Sequence, residues 1–396
     1  RADELATLIT AEMGKTTGEA KEELEFCVSI FEYFATHGPD LAADQPIESF
    51  AGGRAIIQKR SVGALLGFLP WIFLFYQIAR FSAPKLVLGN TILLKHAESV
   101  PRCALAMQQI VEEAGAPAGL YQNLFVTHAQ IEWIIADPRI QGVSLTGSER
   151  AGSVVAAIAG KNLKKCVLEL GGSDPYVILD SEDIAATAKD AWEARVYTTG
   201  QACNSNKRMI VTAQIFAEFV AELTKLATGL QPGDPLEGDS GTYAPMSSRA
   251  AAERVHEQVS DAVAKGATLH AGGELAPSPS AYYSPAVLTG VTKDMRAYRE
   301  ELFGPVAVVY SVGSDEDALE LANDTDYGLG GAVFSTDEER ARAVAARLEV
   351  GRANGNIFAG EGAEIPFGGG KRSGFGRELG PLGMDEFANK RIFYIQ

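Results

Sequence analysis

Apolar residues recur along this chain in two alternating rhythms. Near the start Leu5, Leu8, Ile9 and Met13 share one face of a helical wheel. Leu24, Cys27, Val28, Phe31 and Phe34 repeat that spacing over 22–37, where Gly38 supplies a stop. Residues 45–61 alternate apolar and polar positions around Gly52-Gly53, which predicts a hairpin. From there short apolar runs give way to helical segments. TILLK precedes a helix predicted over 101–114, and GVSLTGS precedes one over 149–159. The pattern restarts with PYVIL at 175–179, then a helix bearing Ile184, Ala188, Trp192 and Val196. RMIVT at 208–212, a helix over 214–228 and AVVYSV at 307–312 continue it. Strands separated by helices build βαβ units on a mostly parallel sheet, so two α/β domains in series are predicted. The closing KRIFYIQ is strand-like with no helix after it, and edge-strand logic sends its pairing across a subunit boundary.

Composition narrows the function. A chain of 396 residues is long enough for about two to three domains. With 46% hydrophobic and 22% charged residues it can bury a large core, which excludes disorder. Lys and Arg number 35 against 51 Asp and Glu, a formal charge of −16. That excess of carboxylates argues against nucleic acid as a partner, because binding phosphates needs a surplus of cations. The most apolar stretch, 64–76, is interrupted by Pro70 and falls short of the about 20 residues a spanning helix needs, so no membrane partner is expected. Cys27, Cys103, Cys166 and Cys203 form no Cys-x-x-Cys pair and the five histidines share no ligand-like spacing, so no metal site is expected. No signal peptide is visible, and the expected setting is reducing and cytoplasmic. The chain opens at Arg1, without methionine and inside a helical pattern, and so reads as a fragment lacking its original N-terminus.

Four segments could carry chemistry. Cys203, in GQACNSNKR, lies just after a helix and just before an apolar strand. It is either a buried structural thiol or, among its Gly, Gln, Asn and Ser neighbours, a reactive one. Cys166, inside KKCVLEL, reads as structural. Glu169, in LELGGSDP, sits at a strand end beside two glycines. It either pairs with Lys164 or Lys165 or swings toward a pocket as a general base whose pKa burial raises. SLTGSERAG places a strand, a turn and a helix start in sequence; Thr146 or Ser148 either merely caps the helix or belongs to a pyrophosphate site. Lys95 ends TILLK at a carboxyl edge of the sheet, where α/β folds bind nucleotides, unless it is simply solvated.

Together these segments resemble the aldehyde dehydrogenase superfamily. PWIFLFYQ, GNTILLKHAE, SLTGS, LELGGSDP, GQAC, EELFGPV, ANDTDYGL and PFGGGKRSGFGREL occur in family order over nearly the whole chain. LKKCVLELGGSDP, the LKHA variant and GRELGPLGMDEF look most like the shorter succinate-semialdehyde dehydrogenases of bacteria. The resemblance implies an α/β fold with a Rossmann-type cofactor domain (1–44, 61–169 and 373–387), an α/β catalytic domain (170–372) and a small β oligomerisation element (45–60 and 388–396). A homodimer or homotetramer is expected from it.

The same resemblance assigns roles. Cys203 matches the nucleophile, whose thiolate adds to the aldehyde to give a thiohemiacetal; hydride passes to nicotinamide and a thioester remains. Glu169 matches the base that activates water to hydrolyse it. Lys95 and Glu98 fall on the adenine ribose, Thr146, Gly147 and Ser148 on the pyrophosphate, and Glu301 on the nicotinamide ribose. Trp71 and Phe303 fall on the nicotinamide pocket, and Leu170 is a further cofactor-binding position. Because a carboxylate accepts from a ribose 2′-hydroxyl but repels a 2′-phosphate, Glu98 favours NAD, with NADP as the second choice.

Departures from the family pattern are specific. Pro70-Trp71-Ile72-Phe73-Leu74 stands where relatives read Pro-Trp-Asn-Phe-Pro. Ile72 lacks the side-chain amide that donates to the oxyanion, a loss of about 10²–10³ in rate. Phe81 stands where many relatives carry lysine. Arg80 matches an arginine that clamps the far carboxylate of succinate semialdehyde in one class, or else is a structural ion-pair residue, while Tyr197 replaces that class's second arginine. The expected activity is oxidation of succinate semialdehyde to succinate. The alternative is a catalytically impaired homologue that binds nucleotide or serves as a subunit partner.

Overall fold

Two parallel sheets, each buried on both faces, organise the chain. The structure, a computed structural model, describes residues 1–50, 52–238 and 241–396; residue 51, inside the predicted hairpin, lies outside them. In space, the first sheet runs Gly374–Phe375, Lys165–Glu169, Ile140–Thr146, Ala64–Leu69, Thr91–His96 and Tyr121–Asn123. Every pairing is parallel except that of Gly374–Phe375 with Lys165–Glu169. Leu65, Leu66, Ile92, Leu94, Val143 and Val167 are almost wholly buried. That explains the continuous apolar runs of these strands, since helices cover both faces of a parallel sheet.

The second sheet runs Thr268–Ala271, Ala286–Thr289, Val306–Val312, Arg208–Thr212, Pro175–Ile178, Gly330–Phe334 and Arg352–Gly355. Only its first pairing is antiparallel. The predicted helices after these strands form with small shifts at their ends: Pro101–Glu113, Glu149–Lys161, Ile184–Val196 and Ala213–Thr228. Helix Thr17–Leu41 extends beyond the predicted 22–37 in both directions. At its start a capping box reciprocally bonds Thr16 and Glu19.

A third, three-stranded antiparallel sheet joins Gln45–Ile47, Arg54–Ser61 and Ala388–Ile395. Edge-strand logic sends the pairing of the closing strand across a subunit boundary, and within the chain it already has one partner. It pairs along its length with Arg54–Ser61 of the same chain, a partner too remote in sequence for local edge logic to find. Its other edge has no strand beside it among the described residues, and Ile392, Phe393, Tyr394 and Ile395 are exposed. Among the described residues no helix is long and apolar enough to cross a membrane, and no group of three or more His, Cys, Asp or Glu is placed to hold a metal ion.

Candidate active site

The carboxyl ends of the two parallel sheets bring the chemistry together. Glu169 is the last residue of Lys165–Glu169, and its carbonyl accepts from the Gly147 N–H at 2.9 Å. The chain then turns through Gly171-Gly172 because no side chain fits there. A Cβ at Gly171 would collide with the Glu301 carboxylate, and one at Gly172 with the Cys203 carbonyl. Cys203 follows a tight 3₁₀ turn, Tyr197–Gly200, and precedes Arg208–Thr212. Thr198 and Thr199 both have left-handed backbones, φ 52° and 56°. A β-branched residue pays for such a conformation in strain, which tends to persist at functional sites. Buried Arg195 holds the turn in place, donating to the carbonyls of Gly200, Leu302, Gly304 and Val306 and to Ser205 Oγ.

Cys203 is half-buried on the wall of a cleft of about 440 Å³, lined also by Arg80, Tyr197, Phe73, Tyr76 and Phe367. Burial pushes its thiol up to about 11, while the nearby Arg80 and Lys207 cations pull it down. Cys166 is pushed up to about 12 by burial with no cation to offset it. What separates Cys203 from Cys166 is its place on the cleft wall and the two cations beside it, features that favour a reactive thiol.

Glu169 lies behind the cleft wall rather than on it. It is 1% exposed, and neither carboxylate oxygen has a hydrogen-bond partner. The pairing with Lys164 or Lys165 weighed from sequence does not form: Lys164 donates to the Asp137 carbonyl and Lys165 pairs with Glu386. Burial raises the Glu169 carboxyl well above the usual range, with Arg80 opposing and Glu378 reinforcing the shift. A carboxyl raised by burial in this way is one from which a general base can be tuned.

Arg80, on helix Leu74–Val87, is fully buried. Its Nε donates to Glu378, its Nη2 to Thr146 Oγ1 at 3.2 Å, and its guanidinium stacks on Phe367, 4.4 Å from the centroid. A bidentate carboxylate clamp needs two free parallel N–H groups, and that edge is taken. The other end, with Nη1 3.5 Å from the Tyr76 hydroxyl, keeps N–H groups for another acceptor. Tyr197 lines the same cleft and donates to Glu22 at 3.2 Å.

The remaining candidates fall into two groups. Trp71 and Phe303 meet edge to face with centroids 5.9 Å apart. Glu301 accepts from the Gly172 N–H at 3.0 Å, and Leu170 packs over Gly152 on the helix that Ser148 caps. Thr146 makes no cap and bonds Arg80 instead. Lys95 and Glu98 stand apart from this cluster, at the end of the adjacent strand. Lys95 is 9% exposed and its Nζ is 3.9 Å from Glu98, whose side chain is 74% exposed. A dinucleotide fits such a donor set: free helix N–H groups for phosphate, a cation at the sheet edge, a carboxylate for ribose hydroxyls and an aromatic pair for a planar ring.

Sequence reading missed two members of the site. Glu378, in GRELG, was quoted only as part of a motif; it is 1% exposed and also accepts from Ser144 Oγ at 3.2 Å. Lys207, four residues after Cys203, donates to the Ala202 and Cys203 carbonyls at 2.8 and 2.7 Å and lies 3.1 Å from Glu301. A lysine beside an apolar strand was its only signal.

Known proteins share this fold. The family model described as "Aldehyde dehydrogenase family" matches residues 1–393. A curated relative from Deinococcus radiodurans, named succinate-semialdehyde dehydrogenase (NADP(+)), is 51% identical over 99% of this chain and 82% of its own length. One from Mycobacterium avium with the same name is 41% identical over 100% of this chain and 84% of its own. Among solved structures, succinic semialdehyde dehydrogenase from Streptococcus pyogenes in complex with NADP+ superposes with a TM-score of 0.95 at 43% identity, covering 99% of this chain and 86% of that one. A lactaldehyde dehydrogenase superposes with a TM-score of 0.95 at 34% identity, covering 100% and 83%. By sequence over nearly its whole length and by the sheets that carry its site, this chain belongs to the aldehyde dehydrogenase family.

Proposed function

We propose that the chain oxidises succinate semialdehyde to succinate with NADP, through a covalent adduct on Cys203. The observation that carries this reading is the half-buried Cys203 thiol on the wall of a cleft lined by aromatic and polar side chains, together with the buried, unpartnered Glu169 carboxyl and with Glu301 held by Lys207. The thiolate adds to the aldehyde carbon, and its soft sulfur makes a good acyl carrier. The nicotinamide, when bound, supplies the hydride acceptor. Glu169 then takes a proton from water so that hydroxide attacks the thioester carbonyl, releasing the acid and the thiolate. Arg80 Nη1 and Tyr197 are the groups placed to meet the far end of the substrate.

For the cofactor, Lys95 and Glu98 serve the adenine ribose, Thr146, Gly147 and Ser148 the pyrophosphate, and Trp71, Glu301 and Phe303 the nicotinamide end, with Leu170 a further cofactor-binding position. The preference for NAD that Glu98 suggests gives way to NADP on two grounds. The Glu98 side chain is largely in solvent and free to turn from a 2′-phosphate that Lys95 can meet. The relatives at 41–51% identity are named for NADP(+). The three-part division given by the resemblance is retained, with 45–60 and 388–396 as oligomerisation elements of a homodimer or homotetramer. The bare edge and exposed apolar side chains of Ala388–Ile395 support that role.

The test is direct. With succinate semialdehyde, purified protein is expected to generate reduced nicotinamide faster from NADP than from NAD. Absence of turnover with either cofactor, while NADP still binds, would overturn the catalytic reading in favour of a nucleotide-binding homologue. Ile72, buried where an oxyanion donor is expected, is the one observation on that second side.

A further inference from the structure

Lys207 is 1% exposed and spends its whole donor capacity inside the site. An ammonium has three N–H donors, and three acceptors surround this one: the Ala202 carbonyl, the Cys203 carbonyl and Glu301 Oε1. A peptide unit is planar and trans, so fixing the Ala202 carbonyl fixes the Cys203 N–H pointing the opposite way. With Ile72 offering no side-chain amide, that N–H is the oxyanion donor the proposed mechanism retains. Glu301 in turn is pinned by the Gly172 N–H, just beyond Glu169. One cation therefore ties the nucleophile's backbone to the carboxylate proposed for the nicotinamide ribose and to the turn that follows the base.

We propose that Lys207 is a positioning residue that sets the Cys203 peptide and the Glu301 carboxylate in a single register, so that oxyanion donor and cofactor ribose are aligned together. This rests on the roles proposed above for Cys203 and Glu301. Besides Lys207, the charged groups bearing on the Cys203 thiol are Arg80 from helix Leu74–Val87, Glu301 and Asp174. Arg80 and Lys207 favour the thiolate and the two carboxylates oppose it, so losing Lys207 leaves Arg80 alone against them.

The test uses Lys207→Met and Lys207→Arg in the full chain, with Cys203→Ser as reference. In Lys207→Met the KM for NADP is expected to rise about tenfold or more, because Glu301 loses its buried counter-ion. Its kcat should fall roughly 10²-fold through misplacement of the reacting groups. Alkylation of Cys203 by iodoacetamide, followed by peptide mass at one mildly alkaline pH, should slow because a cation favouring thiolate is gone. Lys207→Arg keeps the charge and should restore the alkylation rate. Its planar fork cannot reach three convergent acceptors, so KM should stay raised. A folded Lys207→Met with wild-type kcat, KM and alkylation rate overturns the proposal. If that variant does not fold, Lys207→Arg decides: raised KM with normal alkylation upholds it, and wild-type KM and kcat overturn it. Turnover surviving in Cys203→Ser would instead remove the mechanism on which the proposal rests.

Discussion

Serine at position 203 is expected to lower kcat by about 10⁴-fold or more, as removing the nucleophile does in other acyl-transfer sites. Cys203→Ser changes one atom on the wall of a cleft and disturbs no hydrogen bond that the structure assigns to the side chain, so folding and NADP binding should survive. What is lost is specific to sulfur: a hydroxyl at this site has no adjacent base to activate it, and an alkoxide leaves an acyl adduct far less readily than a thiolate. Steady-state turnover and NADP binding, measured on one preparation, make the check. Binding intact with turnover gone is the expected pattern, and turnover within tenfold of wild type would remove Cys203 from the mechanism.

Glu169→Gln separates the second half of the reaction from the first. The glutamine is nearly isosteric, and the carboxyl it replaces has no hydrogen-bond partner to lose. Acylation should proceed and hydrolysis should stall. Rapid mixing is expected to show a burst of reduced nicotinamide close to one per active site, followed by a steady state slower by about 10²–10⁴-fold, the usual contribution of a general base. Loss of burst and steady state together would place Glu169 in the first half-reaction or in the architecture alone.

How far the sequence carried the fold depended on range. Strands such as Arg208–Thr212 and helices such as Ile184–Val196 are written in local periodicity and form where it predicts. The third sheet was half legible. Its hairpin has an internal turn signal, whereas the pairing of Ala388–Ile395 with Arg54–Ser61 joins segments from opposite ends of the chain and leaves no local trace. The site divides in the same way. Cys203 and Glu169 stand in segments whose composition is unusual for their place, whereas Glu301 is reached only through the family resemblance. Arg80 reads from sequence as a substrate clamp or an ion-pair residue, and its partner Glu378, which takes its Nε edge, comes from a distant segment that local pattern does not reveal. Lys207 was invisible because a buried lysine is defined by its acceptors, and here these are two backbone carbonyls and a carboxylate brought from Glu301.

Ile72→Asn is expected to raise kcat by about 10²-fold, the value of one side-chain donor to a developing oxyanion. Ile72 is 7% exposed, directly after Trp71 and two residues before the helix that carries Arg80. An amide placed there has no assured partner in the resting enzyme, which costs about 1–3 kcal/mol for a buried unsatisfied group. The variant should therefore unfold at lower denaturant concentration than wild type. The same unmet hydrogen bond is what makes the change catalytic. A donor satisfied only when the tetrahedral centre forms stabilises the transition state over the ground state, and only such differential binding raises kcat. Ile72→Ala supplies the control, since it removes the branched side chain and adds no donor. If asparagine accelerates and alanine does not, the wild-type chain is an enzyme running with half an oxyanion hole. Equal gains would mean that the isoleucine merely crowds the substrate. No gain from either, with both proteins folded and NADP bound, would mean that the Cys203 N–H serves the oxyanion alone and that position 72 has no part in the chemistry.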